Sequence, residues 1–224
     1  MSDTHRITRR SLLLAAGAVP LAACSQFNTQ YGDFGHLLAE TLYLEGKPGI
    51  TREQAAAIPY ASLGYRIGNS GESMLILASD TSGDLLWTSS ARHALMTRSG
   101  RIMRSAGFEW NLAGTSFNGA DPLAADPRRL DGRSAERLID LQDVQRLSLQ
   151  IASRFESTGP AEIEILGTKL ATVSAVEHCR CDQLSWEFDN SYWVDAETGF
   201  VWRSEQTIHP NLPAIEFEVF RPPA

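Results

Sequence analysis

From Ser62 to Ala106 the chain falls into five short runs of β-forming or alternating residues, cut at nearly even intervals by turn residues. No other feature constrains the fold as strongly. The runs are Ser62–Ile67, Ser73–Ser79, Asp84–Ser89, His93–Arg98 and Arg101–Ala106, with Gly68-Asn69-Ser70-Gly71, Ser82-Gly83 and Ser99-Gly100 among the breaks. Even spacing with Gly, Asn and Ser punctuation predicts an antiparallel meander. Ser99-Gly100 leaves two residues between its flanking runs, which suits a tight hairpin.

The strand pattern returns from Val144. Leu147, Leu149, Ile151, Ser153 and Phe155 alternate with Ser148, Gln150, Ala152 and Arg154, giving one mostly apolar and one mostly polar face. Glu162–Leu166, Lys169–Cys181, Leu184–Phe188, Ser191–Asp195, Phe200–Thr207 and Ile215–Phe220 continue it. A hairpin is expected at Asp195–Gly199, with Asp195 starting the turn and Gly199 closing it at positive φ. Residues 111–140 break the rhythm with Gly114, Gly119, Asp121-Pro122, Asp126-Pro127 and Asp131-Gly132. They read as a long surface connection with a helical turn near Ser134–Leu138. Connections of that length are often functional, so Asn111–Asp140 is a candidate partner contact.

Upstream, Phe34, Leu37, Leu38, Thr41 and Leu42 recur at spacings of three and four, which predicts an amphipathic helix over Tyr31–Leu44. Thr51 and Gln54 have the capping-box spacing, and the helix they open must be short because Pro59 disfavours helix at Ile58. The expected fold is therefore mainly β: a single antiparallel, strongly curved sheet or open barrel with a helical N-terminal segment.

The first residues read as an address. Arg6, Arg9 and Arg10 precede an uncharged, mostly apolar stretch, Leu12–Ala23, of 12 residues. That is too short for a membrane span, which takes about 18 or more apolar residues, and it has the order of a secretion signal. Leu21-Ala22-Ala23-Cys24 resembles the lipobox of bacterial lipoproteins. The resemblance implies a diacylglyceryl group on Cys24 and cleavage before it. The expected divisions are a signal peptide over 1–23, a lipidated tether over 24–30 and a β-rich domain over 31–224. Thr8-Arg9-Arg10-Ser11-Leu12-Leu13 also resembles a twin-arginine export signal, and two arginines serving only as leader charge is the other reading. Removing 1–23 takes away three arginines and one aspartate, so the formal charge goes from -7 to -9. An acidic chain argues against nucleic acid as a partner.

Signals for catalysis are weak. His36, His93, His178 and His209 are scattered, and no H-E-x-x-H, P-loop, G-x-S-x-G or G-x-G-x-x-G occurs. The expectation is a non-enzyme without cofactor or bound metal. His178-Cys179-Arg180-Cys181 is the most chemical-looking stretch. Cys179 and Cys181 could form a disulfide or redox pair in an oxidising compartment, stay as two thiols, or begin a metal site with His178. Glu162/Glu164 and Glu216/Glu218 are carboxylates two apart on predicted strands, which more often form solvated faces than acid–base couples. Trp186, Phe188, Tyr192, Trp193, Phe200 and Trp202 crowd one span, as core or as a platform for sugar rings.

Several segments together resemble the YjbF/GfcB lipoproteins. They are Ile50-Thr51-Arg52-Glu53-Gln54 running to Ile58-Pro59-Tyr60-Ala61-Ser62, Asp84-Leu85-Leu86-Trp87, and Thr97-Arg98-Ser99-Gly100-Arg101-Ile102. Ala106-Gly107-Phe108 and Tyr192-Trp193-Val194-Asp195-Ala196-Glu197-Thr198-Gly199 complete the set. The resemblance implies a β-rich, lipid-anchored, periplasm-facing outer-membrane protein. It implies work beside a periplasmic protein and an outer-membrane β-barrel in export of capsule or exopolysaccharide. Two modes are expected: a binding or scaffold module, or a carrier-like cup for a lipid or other apolar ligand.

Overall fold

In the computed structural model, residues 49–142 and 146–223 are described. The proposed signal peptide, Cys24 and the helix expected over Tyr31–Leu44 lie outside them. The described chain opens with helix α1 (Arg52–Ala56), started by the expected box: the Gln54 amide donates to Thr51 Oγ1 at 3.3 Å and the Thr51 amide to Gln54 Oε1 at 2.8 Å. It stops before Ile58-Pro59, as the proline requires.

Five strands follow as a meander: β1 (Ser62–Ile67), β2 (Ser73–Thr81), β3 (Asp84–Thr88), β4 (Ala94–Arg98) and β5 (Arg101–Ala106). After β6 (Leu112–Phe117) come the one-turn helix α2 (Pro122–Ala125) and β7 (Ser134–Leu141). Then β8 (Arg146–Ile165), β9 (Thr168–Cys181), β10 (Trp186–Asp195), β11 (Val201–Gln206) and β12 (Ile215–Arg221) complete the chain. All lie in one 12-stranded sheet of order β5-β4-β3-β2-β1-β12-β11-β10-β9-β8-β7-β6. The first and last strands pair antiparallel, with Tyr65 opposite Phe217. The two ends of the sheet are thus consecutive strands, β5 and β6, and the sheet curls into a nearly closed antiparallel barrel.

Side chains rather than a ladder finish the closure. The Leu112 amide at the start of β6 donates to Ser105 Oγ on β5 at 2.9 Å, and the Ile102 amide on β5 donates to Gln206 Oε1 at 3.0 Å. These two edge amides, which would otherwise invite another chain, are satisfied internally.

The expected meander and hairpins are present, with two corrections. Residues 111–140 are not a single surface connection. They hold β6 and β7, and the segment predicted as a helical turn, Ser134–Leu138, is strand. Leu147, expected on the apolar face of β8, is exposed because Ser148 takes φ +57 and the alternation resets there. The Ser99-Gly100 turn has positive φ at both residues, the geometry that follows strand twist in a two-residue hairpin.

Candidate functional site

The barrel interior is layered. The larger apolar cluster includes Leu75, Trp87, Ile139, Ile151, Cys179 and Phe217, and the smaller includes Leu123, Phe155, Ala175, Tyr192 and Val201. Between them the inward positions are polar. On β8, Ser153 lies between Ile151 and Phe155; on β9, Glu177 lies between Cys179 and Ala175. Arg101 on β5, Arg137 on β7, Asn190 on β10 and Gln206 on β11 join them, all buried.

Glu177 is the centre of this belt. Its Oε2 accepts from Arg101 Nη1 at 2.8 Å, Asn190 Nδ2 at 2.9 Å and Tyr192 OH at 3.2 Å. Its Oε1 accepts from Arg137 Nη1 at 2.7 Å and Ser153 Oγ at 2.8 Å. Arg101 grips Asp121, which caps α2, through Nε at 2.7 Å and Nη2 at 3.0 Å. Two guanidiniums therefore face two carboxylates, and the belt is neutral as a whole. Burial alone would push the Glu177 carboxyl up, but Arg101 and Arg137 outweigh it and hold its pKa far below the usual carboxylate range. Burial acts unopposed enough on Tyr192 to push its phenol well above the usual value. An unpaired ion here would be costly, so the geometry requires all members together.

Chemically, this carboxylate is committed. Five donors occupy it, and its proton is gone across the neutral range. The adjoining cavity, bordered by Arg101, Arg137, Asn190 and Gln206, measures about 20 Å³, room for about one water. The belt fastens edge strand β5 and strand β7 to β9, and through Asp121 ties β5 to the segment that follows β6.

Cys179 and Cys181 point into this interior and stand as free, buried thiols. Cys179 Sγ receives Arg137 Nη2 at 3.4 Å, and burial followed by the Glu177 charge raises its pKa to about 12. His178 lies on the opposite face of β9, exposed, with Nδ1 2.8 Å from Asp189 Oδ1 and Nε2 3.5 Å from Glu156 Oε2. Strand alternation thus separates His178 from the two thiols, and the three cannot converge on one ion. Glu162 pairs with Lys169 at 2.6 Å, while Glu216 and Glu218 share Arg203. The aromatics divide. Tyr192 is belt, Trp186 stacks on Phe188 at 4.0 Å beside the larger cluster, and Trp193 lies under Arg203 at 5.6 Å. Asp195 closes its turn as expected, taking the Thr198 amide at 2.7 Å and Trp202 Nε1 at 3.0 Å.

The belt itself was not read from the sequence. Glu177 sits in phase with Ala175, Cys179 and Cys181, so one carboxylate on an otherwise apolar face was the available signal. Arg137 lay hidden in the segment read as a loop.

The barrel and its turns agree with one family. The sequence profile described as "Group 4 capsule polysaccharide lipoprotein gfcB, YjbF" matches residues 35–220. The chain belongs to this YjbF/GfcB family. This member is 23% identical over 214 residues to the uncharacterized lipoprotein GfcB of Escherichia coli K12, covering 95% of this chain and 99% of the relative. It is 27% identical over 189 residues to the uncharacterized lipoprotein YjbF of the same organism, covering 83% and 85%. The crystal structure of the lipoprotein YmcC from Escherichia coli K12 superposes with a TM-score of 0.74 at 21% identity, over 86% of this chain and 95% of that one. That likeness shows a shared fold. Membership in a lipoprotein family goes with a lipid-anchored place in the cell envelope.

Proposed function

We propose that this YjbF/GfcB member is a lipid-anchored accessory protein for export or assembly of capsule or exopolysaccharide. It acts at the outer membrane, facing the periplasm, as a binding or scaffold module without turnover. Cys24 carries the anchor.

The observation behind the mode of action is the filled barrel. Two apolar layers and the Glu177 belt occupy the interior, and the cavity beside the belt holds about 20 Å³. Pockets that enclose a drug-sized ligand run to about 300–1,000 Å³. A cup that takes an apolar ligand into the barrel is therefore the weaker reading, and the outer surface is where partners meet the protein. With a formal charge of -9 after removal of 1–23, that surface repels acidic glycan at long range, so protein partners are favoured over the polymer itself. A periplasmic protein and an outer-membrane β-barrel of the export system are the partners proposed. The segment between β6 and β7 displays exposed Arg128, Arg129 and Arg133 and is the proposed contact.

The test is complementation. Cells lacking the protein should lose surface polysaccharide and regain it with the full chain, while Cys24→Ala should restore little and appear in the soluble periplasm. Unchanged polysaccharide after deletion would remove the assigned process.

A further inference from the structure

Outside the barrel, α1 leans over the tip of the β8–β9 hairpin and the end of β12, leaving a groove of about 260 Å³. Its floor is apolar, with Ile165, Leu166, Leu170, Trp202 and Phe220. Two guanidiniums line its rim, Arg52 from α1 and Arg221 from β12. Arg52 Nη2 donates to Thr168 Oγ1 at 3.0 Å and Arg221 Nη1 to the Pro59 carbonyl at 3.3 Å, so both are aimed by neutral acceptors. No carboxylate of the described residues forms a salt bridge with either, and neighbouring Glu53 and Glu164 do not line the groove. Two guanidiniums outside any salt bridge among the described residues, Arg52 with Glu53 as its neighbour in sequence, are conspicuous beside an apolar slot on a chain whose formal charge is -7.

We infer that this groove seats an acyl chain of an anionic membrane phospholipid, with its phosphate held between Arg52 and Arg221. The inference rests on the proposed anchor at Cys24 for proximity to the bilayer. Residues 25–48 separate that cysteine from the start of α1's loop, a tether of 24 residues. Such a tether spans at most roughly 80–90 Å fully extended, so the groove works within reach of the surface that holds the anchor. Hydrophobic seating adds to the anchor and fixes how the barrel is turned toward the membrane. A guanidinium near an anionic surface contributes about fivefold in affinity, so the pair contributes roughly thirtyfold.

The experiment uses the mature chain as Cys24→Ala, without lipid, and vesicles containing phosphatidylglycerol with brominated acyl chains. Trp202 lies in the groove, so bromine in its slot should quench its fluorescence, and Trp202→Phe should remove that share of the quenching. Arg52→Gln with Arg221→Gln should weaken binding roughly thirtyfold. Ala56→Phe, which fills the slot, keeps both charges and adds no tryptophan, should abolish the Trp202 share of the quenching. Phosphatidylcholine vesicles should bind as weakly as the double arginine variant. Equal quenching by both lipids, or none by either with the chain folded, overturns the inference. Quenching that appears only after deletion of residues 31–44 overturns it too, by making that segment the natural occupant. The anchor is judged separately by mass spectrometry of the native N-terminus, so its failure and the failure of the groove are told apart.

Discussion

Arg101 Nη1 lies 2.8 Å from Glu177 Oε2, although β5 and β9 are eight steps apart along the sheet order. The contact crosses the barrel interior. It converts an open sheet edge into a fixed seam, because the same guanidinium holds Asp121 beyond β6. Closure therefore depends on a charge pair more than on a ladder.

Glu177→Gln should destabilise the folded chain by about 3–5 kcal/mol, since it leaves buried Arg137 without its carboxylate and Arg101 with Asp121 alone. Ser153→Ala, which removes one donor of the five, should cost about 0.5–1.5 kcal/mol. Urea unfolding of the Cys24→Ala mature chain measures both. Equal losses would show that the belt is not centred on the carboxylate.

The same residue sets the acid limit. Its folded pKa lies below the ordinary 4.5, because Arg101 and Arg137 overcome the opposing effect of burial. The stabilisation is therefore complete above pH 4.5 and is lost as pH falls toward the folded value. Wild type should lose stability steeply in that window, and Glu177→Gln should show a flatter acid limb. His178 runs the other way. Its hydrogen bond to Asp189 raises its pKa from 6.5, so its small contribution is present below that value and lost as pH rises through the folded one. Asp189→Asn should bring the His178 titration, followed by NMR, back toward 6.5.

The local devices of this fold were legible in the sequence, and its long-range ones were not. Ser99-Gly100, the Thr51/Gln54 box and the Asp195–Gly199 turn act over a few residues, so their chemistry is written in the segment that uses it. The 147–155 alternation failed only at Leu147, where Ser148 turns to positive φ. Strand β7 was missed for a different reason. Its inward residue Arg137 reads as solvent-seeking until Glu177, forty positions later, is placed opposite it. Strand β6, Leu-Ala-Gly-Thr-Ser-Phe, has no alternation to notice, because it lies at an edge and meets side chains from β5. The belt joins distant strands, and a local window holds only one member at a time.

Cys179 and Cys181 should be silent in the native chain. Cys179, its pKa pushed up to about 12, offers almost no thiolate at neutral pH, and Cys181 is fully buried from a reagent. With Cys24→Ala, a thiol reagent should titrate essentially none quickly under native conditions and two after unfolding without reductant. Two found only after reduction would establish the disulfide instead.

Gly100→Ala tests the hairpin seated on β11. Gly100 has φ +81, and an added Cβ would lie 2.4 Å from Val201 Cβ. Left-handed strain and overpacking together should cost about 2–4 kcal/mol. Val201→Gly in the same chain should recover part of the loss, judged against Val201→Gly alone, since removing that Cβ relieves the overlap and leaves the φ. No recovery would mean that the backbone conformation accounts for the whole effect.

The segment between β6 and β7 separates scaffold from contact surface. Replacing residues 115–131 by a Gly/Ser linker looks harmless if they form a variable loop. The structure argues otherwise. The exchange removes half of β6, the buried Leu123 and Leu130, and Asp121, the partner of Arg101. It should prevent folding, seen as loss of the cooperative urea transition. A narrower exchange, Arg128→Gln with Arg129→Gln and Arg133→Gln, touches exposed side chains only and leaves the seam intact. It should keep stability within about 0.5 kcal/mol, as surface changes usually do, while lowering co-purification of the export partner and surface polysaccharide. Full polysaccharide with three glutamines would move the contact to another face of the barrel. A folded linker variant would show that the Arg101–Asp121 grip is dispensable for closure.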